Sequence, residues 1–299
     1  MKLTIITINY NNASGLQKTM ESVFVQTSHE FEYIVIDGTV LQLPKGEVAG
    51  DREVFEHFIK ETYETENGFT RCSWLSPFGG VEGGFYSEPD SGIYHAMNKG
   101  IRMAKGEYVQ FLNSGDFLVT SNVIGTMIAT LPDCSIYYGN MLKQLPNGKL
   151  YRDTSGQGSI TMFTFYKGAL NHSPAFIKRS LFEKYGLYDE NLKIVSDWKW
   201  YLNVVGLHNE SVKYTNLDVT VFDMTGISST NSKLEKHERK LVLAEILPAS
   251  VLSDYERWTF PIDQMKRINR YWVTRKGFWL VERILFKWEK WFRNKEQLF

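Results

Sequence analysis

The start of the chain alternates short apolar runs with polar, helix-forming segments. The run from Leu3 to Ile8 is apolar and β-branched, which is typical of a strand buried on both faces, and a second such run spans Tyr33 to Ile36. Between them, Ser14 is expected to cap a helix that continues to about Gln26. A strand, a helix and a strand in this order predict two parallel strands joined by a right-handed crossover.

The same alternation resumes after residue 84. The pattern there predicts a helix from Ile93 to Ala104, a strand from Tyr108 to Leu112 and a strand from Ile136 to Tyr138. Residues 40–84 interrupt the alternation and are interpreted as an insertion. Within them we expect a helix from Val54 to Tyr63 and a strand from Cys72 to Leu75.

Three acidic residues follow predicted strands or precede a predicted helix: Asp37, Asp90 and Asp116. Parallel strands place their carboxyl ends at one edge of an open sheet, where such sheets bind ligands, so Asn9, Tyr10 and Asp37 should share that edge. A single acid in this setting is most often a turn former, but converging carboxylates repel unless a cation lies among them. Without nearby His or Cys, they suit Mg²⁺ or Mn²⁺ and a phosphate-bearing ligand.

Several classes of protein are disfavoured by the sequence. It has no GxxxxGKS/T loop for an ATPase-type phosphate site, and no GxGxxG motif follows the first strand. Two isolated cysteines, Cys72 and Cys134, do not form a disulfide framework. Met1 leads directly into a strand, and no apolar run is long enough to cross a bilayer, so we expect a cytoplasmic protein.

The formal net charge is zero, from 34 Lys and Arg against 34 Asp and Glu, which gives no indication of a nucleic-acid partner. The zero conceals an uneven distribution. Residues 266–299, here called the basic tail, hold ten basic and three acidic residues, a net charge of +7. The remaining 265 residues therefore carry −7. Four of the eight tryptophans also lie in the basic tail.

Within the basic tail, apolar residues recur at spacings of three and four from Phe278 to Phe292 and form one helical face. Arg283, Lys287 and Lys290 lie on another face. Tryptophan on the apolar face and basic residues on the polar face are typical of a helix in a membrane interface. We expect the basic tail to bind an anionic membrane surface. The alternatives are that this helix packs on the acidic body of the chain or forms a homodimer contact.

An ordered set of motifs resembles the family 2 glycosyltransferases, and among them the colanic-acid-type enzymes of bacterial polysaccharide biosynthesis. The resemblance covers residues 1–232, and the order of the motifs is more specific than any single one. The motifs are Ile8 to Asn11, Val35 to Gly38, Ser87 to Tyr94, Ala96 to Ile101, Gly106 to Val109, Phe111 to Asp116, His172, Ile194 to Trp198 and Gly226 to Asn231.

This resemblance implies a GT-A fold, an α/β architecture in which a mostly parallel, Rossmann-like sheet flanked by helices binds a nucleotide-diphosphate sugar. It implies Mn²⁺ or Mg²⁺ held by Asp116, and Asp197 as the catalytic base of an inverting enzyme. The residues expected at the donor are Ile8, Tyr10, Asp37, Asp90, Asn98 and Ser114. At the acceptor we expect His172 and Trp198, although His172 is equally well interpreted as a hydrogen-bonding residue at the edge of the core. The metal motif, Asn113 to Asp116, offers one carboxylate where many relatives have two.

The function implied is transfer of a sugar from a nucleotide-diphosphate donor, by family frequency a UDP-sugar, to a polyprenyl-diphosphate-linked saccharide. Such an enzyme would build a surface polysaccharide, O-antigen or capsule, at the inner face of the cytoplasmic membrane. Residues 1–232 are expected to form the glycosyltransferase domain, with a donor and metal half (1–139) and an acceptor half (140–232). Residues 233–299 would be a helical extension. The alternatives are a sugar nucleotidyltransferase and a non-catalytic nucleotide-sugar-binding scaffold protein.

Overall fold

The computed structural model describes residues 1–38, 64–66, 69–73, 81–145, 147–153, 158–224, 226 and 230–296. The helix predicted from Val54 to Tyr63, and the end of the strand predicted to reach Leu75, lie outside these residues. By its internal contacts the chain divides into a first unit, Met1–Val242, and a second unit, Leu243–Phe299. The first unit thus continues beyond residue 232, where the motifs end.

The described strands of the first unit form one sheet. They are β1 (Leu3–Asn9), β2 (Phe31–Asp37), β3 (Glu64–Glu66), β4 (Phe69–Ser73), β5 (Glu82–Ser87), β6 (Tyr108–Phe111), β7 (Phe117–Leu118), β8 (Ile136–Gln144), β9 (Leu150–Asp153), β10 (Ala175–Lys178) and β11 (Val212–Phe222). Their order across the sheet is β3-β4-β5-β2-β1-β6-β10-β8-β11-β7, and β9 pairs with β8.

In the first half of the described chain, helices alternate with strands as the sequence predicts. The described helices are α1 (Ala13–Phe24), α2 (Ile93–Met103), α3 (Val123–Ala129), α4 (Met162–Lys167), α5 (Ser180–Tyr185), α6 (Ser196–Tyr201), α7 (Ser232–Ile246), α8 (Ala249–Arg270) and α9 (Trp272–Glu296). A π-helical turn, Leu202–Leu207, continues directly from α6.

The centre of the sheet is parallel, as predicted. Strands β5, β2, β1 and β6 lie side by side in that order, each parallel to its neighbour. Both faces of β1 and β2 are buried, which explains their almost continuous apolar sequences. The register sets Asn9 opposite Asp37, and Asp37 opposite Ser87. The polar ends of three neighbouring strands are therefore level at one edge.

Antiparallel strands extend this centre on both sides. On one side β4 pairs with β5 and with β3, so the described part of residues 40–84 adds edge strands to the sheet. On the other side β10 runs antiparallel to both β6 and β8, whereas β8 and β11 are parallel. The predicted α/β fold with a parallel central sheet is confirmed, and its flanks make the whole sheet mixed.

Helix α1 begins earlier than predicted. Asn12, not Ser14, is the cap, because the Asn12 Oδ1 accepts a hydrogen bond from the Gly15 N–H at 3.1 Å and the helix already starts at Ala13. Ser14 is therefore inside the first turn. The helix buries Leu16, Met20, Val23 and Phe24 against the sheet in the main apolar cluster. The ring of Phe24 meets that of Tyr33 of β2 edge-on, with centroids 5.6 Å apart.

The second unit holds the end of α7, then α8 and α9. Between α8 and α9, Tyr271 has an extended backbone (φ −113°, ψ 138°), which ends one helix before the next begins. On α9, Val281, Ile284, Leu285 and Trp288 are between 49% and 63% exposed. None of the helices in the described ranges combines the length and the apolar character that crossing a bilayer requires.

Strand β5 can lie beside β2 only because residue 83 is glycine. Gly83 has a φ of +135°, and a Cβ atom there would collide with the backbone carbonyl oxygen of Tyr33. Gly186 also has a positive φ, +88°, but no atom lies within 4 Å of the position of its Cβ. Alanine at either position would strain the backbone, but only alanine at position 83 would also collide with a neighbouring atom.

We therefore expect Gly83→Ala to lower the free energy of unfolding by about 2–5 kcal/mol, from about 1–2 kcal/mol of backbone strain plus about 1–3 kcal/mol of forced displacement. Gly186→Ala, the matched control, should lower it by about 1–2 kcal/mol only. Urea unfolding of both variants measures the difference. Equal losses would contradict the close approach of β5 to β2.

Candidate active site

The carboxyl ends of β1 and β6, with the turn after β5, border a cavity of about 620 Å³ that we call the large cleft. Five of the predicted site residues line it: Ile8, Tyr10, Asp90, Ser114 and Asp116. The Tyr10 side chain is 67% exposed. Of the residues that the sequence places at one edge, Tyr10 thus lines this cavity together with two of the three predicted carboxylates, Asp90 and Asp116.

Asp116 is the most deeply buried acid of the large cleft, at 4% exposed. Its Oδ1 accepts a hydrogen bond from the backbone N–H of Asp223 at 2.8 Å. Burial raises the pKa of the Asp116 carboxyl to about 8, with a further increase from the charge of Asp223, against the opposing effects of the Asp223 N–H and Lys18. A cation beside the carboxylate would lower this pKa, because it favours the charged form.

Two further side chains with oxygen atoms lie at the same cleft. The Asn113 Oδ1 is buried and has no hydrogen-bond partner among the described residues, and Asp223 lines the cleft beside it. The Asp223 carboxylate packs against Gly115, where φ is +105° and a Cβ would collide with it. Carboxylate and amide oxygens are the ligands that Mg²⁺ and Mn²⁺ take.

The residues at the large cleft could hold a divalent cation, but only as part of its ligand set. No group of three or more His, Cys, Asp and Glu side chains in the described part of the chain could hold a metal ion alone. Asp116, Asn113 and Asp223 therefore provide a partial ligand set. A partial set suits a cation that also binds the oxygens of a phosphate ligand and water.

Asp37 and Asp90 are adjacent but have different surroundings. Asp37 is fully buried and accepts hydrogen bonds from the Asn9 Nδ2 at 2.9 Å and the Ser87 Oγ at 3.1 Å, so it joins the ends of three strands. It does not line the large cleft. Asp90 does, and its carboxylate packs against Gly38, where any Cβ would collide with it. Asp90 also accepts a hydrogen bond from the Gly92 N–H at 3.0 Å.

A second cavity of about 290 Å³, here called the inner cleft, shares four lining residues with the large cleft: Ile93, Asn113, Asp116 and Phe222. His172 and Asp197 also line it. The two cavities therefore meet at Asp116. The predicted metal ligand and the predicted base border the same space.

Asp197 lies in the first turn of α6 and is held by a tyrosine from α2. The Tyr94 hydroxyl lies 2.9 Å from the Asp197 Oδ1 and 2.5 Å from the Ile194 carbonyl oxygen, so its single proton is shared between these acceptors. Burial, and then the charge of Asp197, raises the pKa of Tyr94, so the phenol stays protonated as a donor.

His172 is fixed among aromatic rings. It stacks on Phe111 with centroids 4.8 Å apart, and its Nε2 lies 2.8 Å from the Tyr188 hydroxyl. Burial lowers the pKa of His172, against the opposing charge of Asp197. The imidazole is thus neutral at pH 7 and borders the inner cleft as a polar, uncharged group.

Besides Asp37, two predicted site residues line neither cleft. The Asn98 amide is buried and donates to the Tyr188 carbonyl and the Glu190 carboxylate, so it ties α2 to the segment after α5. Trp198 is 3% exposed, and its Nε1 donates to the carbonyl oxygens of Phe165 and Gly168. Both side chains hold the frame of the site, and the geometry gives no direct support to a contact with donor or acceptor.

Comparisons with known proteins identify the family. Over 234 residues the chain is 30% identical to a glycosyltransferase of Mycobacterium tuberculosis, a match that covers 76% of this chain and 77% of that one. This chain belongs to the glycosyltransferases. A PGL/p-HBAD biosynthesis glycosyltransferase of Mycobacterium bovis strain BCG is 23% identical over 231 residues, covering 76% of this chain and 79% of the other. No family model matches the chain.

Solved structures confirm the fold of this glycosyltransferase. A fragment of TarS from S. aureus, crystallised with UDP-GlcNAc, superposes with a TM-score of 0.60 at 16% identity over 83% of this chain and 67% of that chain. The mannosyltransferase PcManGT from Pyrobaculum calidifontis, in complex with GDP-Man and Mn²⁺, gives 0.55 at 13% identity over 82% and 63%. The chain spans about two thirds of the length of these solved chains.

The glycosyltransferase contains one cleft carboxylate that the sequence interpretation missed. Asp223 lies 107 positions from Asp116, and no motif joins them. The missed signal is the one that marked Asp37: an acid directly after an apolar strand, here the run Val219 to Phe222 of β11. β11 brings Asp223 to the cleft because it pairs with β7, which follows Asp116.

The buried imidazole makes the stability of this glycosyltransferase depend on pH. The pKa of His172 is below its ordinary value of about 6.5, so the unfolded chain takes up a proton as the pH falls below 6.5 and the folded protein does not. We expect His172 to contribute a loss of up to about 1.4 kcal/mol of unfolding free energy per pH unit below that value, whereas the raised pKa of Asp116 contributes in the opposite direction. His172→Gln lacks the first contribution and keeps the second, so as the pH falls its unfolding free energy should rise relative to that of the wild type.

Urea unfolding between about pH 7 and pH 5.5 measures this slope. The matched control is His208→Gln, an exposed position that should keep the wild-type slope. An unchanged slope in His172→Gln would contradict the burial of a neutral imidazole.

Proposed function

We propose that this glycosyltransferase moves a sugar from a nucleotide-diphosphate donor to a saccharide hydroxyl, with inversion at the anomeric carbon and with a divalent metal. One observation carries the proposal: Asp116 lines both cavities, with four of the six predicted donor residues along the large cleft and Asp197 in the inner cleft. A donor whose diphosphate lies at Asp116 would present its sugar towards Asp197.

The large cleft has features suited to a nucleotide sugar. Tyr10 provides an exposed aromatic ring on which a base can stack, and the Asp90 carboxylate can accept hydrogen bonds from hydroxyl groups. Ser114 lines the cleft beside Asn113. TarS, with the same fold, binds UDP-GlcNAc, which supports a UDP-sugar as the donor. The family 2 assignment, the colanic-acid subtype and the nucleoside contact of Asp37 remain predictions.

The proposed metal is Mn²⁺ or Mg²⁺. Asp116, with the oxygens of Asn113 and Asp223, would hold it, and PcManGT, a structural neighbour, contains Mn²⁺. When bound, the cation supplies charge neutralisation to the departing diphosphate. Because these protein ligands form only a partial set, we expect metal and donor to bind together.

The proposed base is Asp197. Its carboxylate would remove the proton of the acceptor hydroxyl while the acceptor oxygen forms a bond to the anomeric carbon. The bond from that carbon to the diphosphate oxygen breaks on the opposite face, so the configuration inverts. The Tyr94 hydroxyl orients the carboxylate, and neutral His172 provides a polar wall for the acceptor without competing for the proton.

The proposed acceptor is a saccharide on polyprenyl diphosphate, in the assembly of a surface polysaccharide at the inner face of the cytoplasmic membrane. Supporting this, α9 exposes an apolar face that includes Leu285 and Trp288. Its other face carries Arg283 and Lys287, and the basic tail as a whole carries +7. Opposite charge favours an anionic bilayer as the occupant of this surface.

Two substitutions, one expected to weaken donor binding and the other to lower kcat, test the active site. We expect Asp116→Asn to weaken metal-dependent donor binding at least about tenfold, because a metal ligand is lost. We expect Asp197→Asn to keep donor binding and to lower kcat by about 10²–10⁴, because only the proton acceptor is lost. Calorimetry with Mn²⁺ and a panel of nucleotide-diphosphate sugars measures binding, and transfer or hydrolysis of the bound donor measures kcat.

The matched control is Asp133→Asn, whose side chain is 98% exposed and which should behave as wild type in both assays. Full turnover by Asp197→Asn would show that another residue is the base. Donor binding that EDTA does not change would contradict the metal dependence. Donor binding without turnover on any acceptor would favour the scaffold alternative. Release of pyrophosphate from a nucleoside triphosphate would favour a nucleotidyltransferase.

The membrane proposal predicts a charge-specific loss of vesicle binding. In the full-length protein, Arg283→Glu with Lys287→Glu should weaken binding to phosphatidylglycerol-containing vesicles about 30-fold or more. The reason is that each basic residue near an anionic surface contributes about 1 kcal/mol. Co-sedimentation measures the affinity, with phosphatidylcholine vesicles as the uncharged comparison.

The matched control makes the same charge change at exposed lysines of the first unit, Lys149→Glu with Lys213→Glu. Equal losses in the two double variants would show a non-specific effect of net charge. Wild-type affinity of the α9 variant for the anionic vesicles would contradict membrane binding through α9. A dimer that dissociates in the α9 variant would assign the apolar face to a second copy of the chain.

A further inference from the structure

A buried carboxylate holds the segment that leads into the helix of Asp197. Glu238 of α7 is 5% exposed. Its Oε1 accepts a hydrogen bond from the Lys193 N–H at 2.8 Å, and its Oε2 accepts from the N–H groups of Ile194 at 2.9 Å and Val195 at 3.2 Å. Three consecutive backbone amides therefore converge on one side chain, and α6 begins immediately after them at Ser196.

The same segment is held from the opposite side by Tyr94. Its hydroxyl lies 2.5 Å from the Ile194 carbonyl oxygen and 2.9 Å from the Asp197 Oδ1. Ile194 thus gives its N–H to Glu238 of α7, and its carbonyl accepts from α2. We call Glu238 and the amides of residues 193–195 the carboxylate clasp.

Arg239, the neighbour of Glu238 in α7, fixes the residue after Asp197. Its guanidinium lies 4.6 Å above the centre of the Trp198 ring. Its Nη1 also donates to the Gly168 carbonyl at 3.1 Å, and the Trp198 Nε1 donates to the same oxygen at 3.0 Å. Two consecutive residues of α7 therefore hold the chain on both sides of Asp197.

Packing alone does not explain a carboxylate at position 238. Within α7, Glu238 and Val242 are the buried residues. An apolar residue would fill such a position without the desolvation cost of a carboxylate. The carboxylate is stabilised by hydrogen bonds that it accepts from the backbone N–H groups just before α6. These bonds fix the position of the backbone and are not a packing contact.

We propose that Glu238 is a positioning residue for glycosyl transfer that acts through Asp197 by fixing the backbone from which α6 projects the base. This inference rests on the proposed role of Asp197. A base must lie within hydrogen-bond reach of the hydroxyl it deprotonates, and a misplacement of about 1 Å costs up to about 10² in rate. Tyr10 and Asp116, which line the large cleft, lie on other elements, so we expect donor binding not to depend on the clasp.

The test uses Glu238→Gln in the full-length protein. The amide keeps the shape of the side chain but replaces one accepting oxygen by an N–H₂ group that cannot accept from the backbone amides. We expect kcat to fall about 10- to 100-fold, with the donor Kd within about twofold of wild type. Glu245→Gln, the same substitution at an exposed position of α7, is the matched control and should leave kcat unchanged.

The outcomes separate this inference from the proposed function. If Asp197→Asn retains full turnover, the proposed base is wrong. If Asp197→Asn is inactive but folded Glu238→Gln turns over as wild type, the clasp has no positioning role. If Glu238→Gln weakens donor binding as much as it lowers kcat, its role is general stability. Should Glu238→Gln not fold, Glu238→Asp applies the same test, because it keeps the carboxylate but shortens its reach to the three amides: a fall in kcat at constant donor Kd supports the inference, and wild-type kcat overturns it.

Discussion

The site depends on the hydrogen bonds that Asp37 accepts from Asn9 and Ser87. These bonds tie the carboxyl ends of β1, β2 and β5 together in a fully buried row. Because parallel strands end at one edge, aligning three of them also fixes where the following turns leave the sheet. The turns carry Tyr10 and Asp90, so two residues that line the large cleft follow strand ends joined by a contact that does not itself line the cleft.

Buried carboxylates perform three different tasks in this molecule. Asp37 joins strands, and Glu238 holds a loop with three backbone amides. Asp116 is as deeply buried as Glu238, but its carboxyl receives only the Asp223 N–H among the described residues. A buried acid is stable in its charged form only when enough donors or cations surround it. The scarcity of hydrogen-bond donors around Asp116 supports the proposal that its carboxylate is a metal ligand.

Much of the fold was predictable because local patterns decide it. The buried strands β1 and β2 appear as apolar runs, and Asp90 and Asp116 stand in motifs that also place them at the large cleft. The start of α1 was missed by two residues, because a side chain one position before the helix, Asn12, competes with Ser14 for the cap. Such boundaries depend on side-chain geometry that sequence spacing does not contain.

The site residues that escaped the sequence interpretation come from far along the chain. Asp223 reaches the cleft through the pairing of β11 with β7, and Glu238 reaches the Asp197 segment through the packing of α7. A motif residue can also lie away from both clefts: Asn98 stands inside a motif, and its amide donates to Tyr188 and Glu190, so its contact with the donor remains a prediction. A motif reports that a residue matters to the family's fold or function, and only the geometry distinguishes the two.

The position of Glu238 also determines where this protein can be truncated. The motifs end at Asn231, so residue 232 appears from the sequence to be a natural place to stop. A chain cut there would keep each motif and yet lack the carboxylate that receives the amides of residues 193–195. A cut after Val242 retains the whole first unit and removes the exposed apolar helix of the second. One side chain beyond the last recognisable motif thus favours a cut after Val242 over a cut at residue 232.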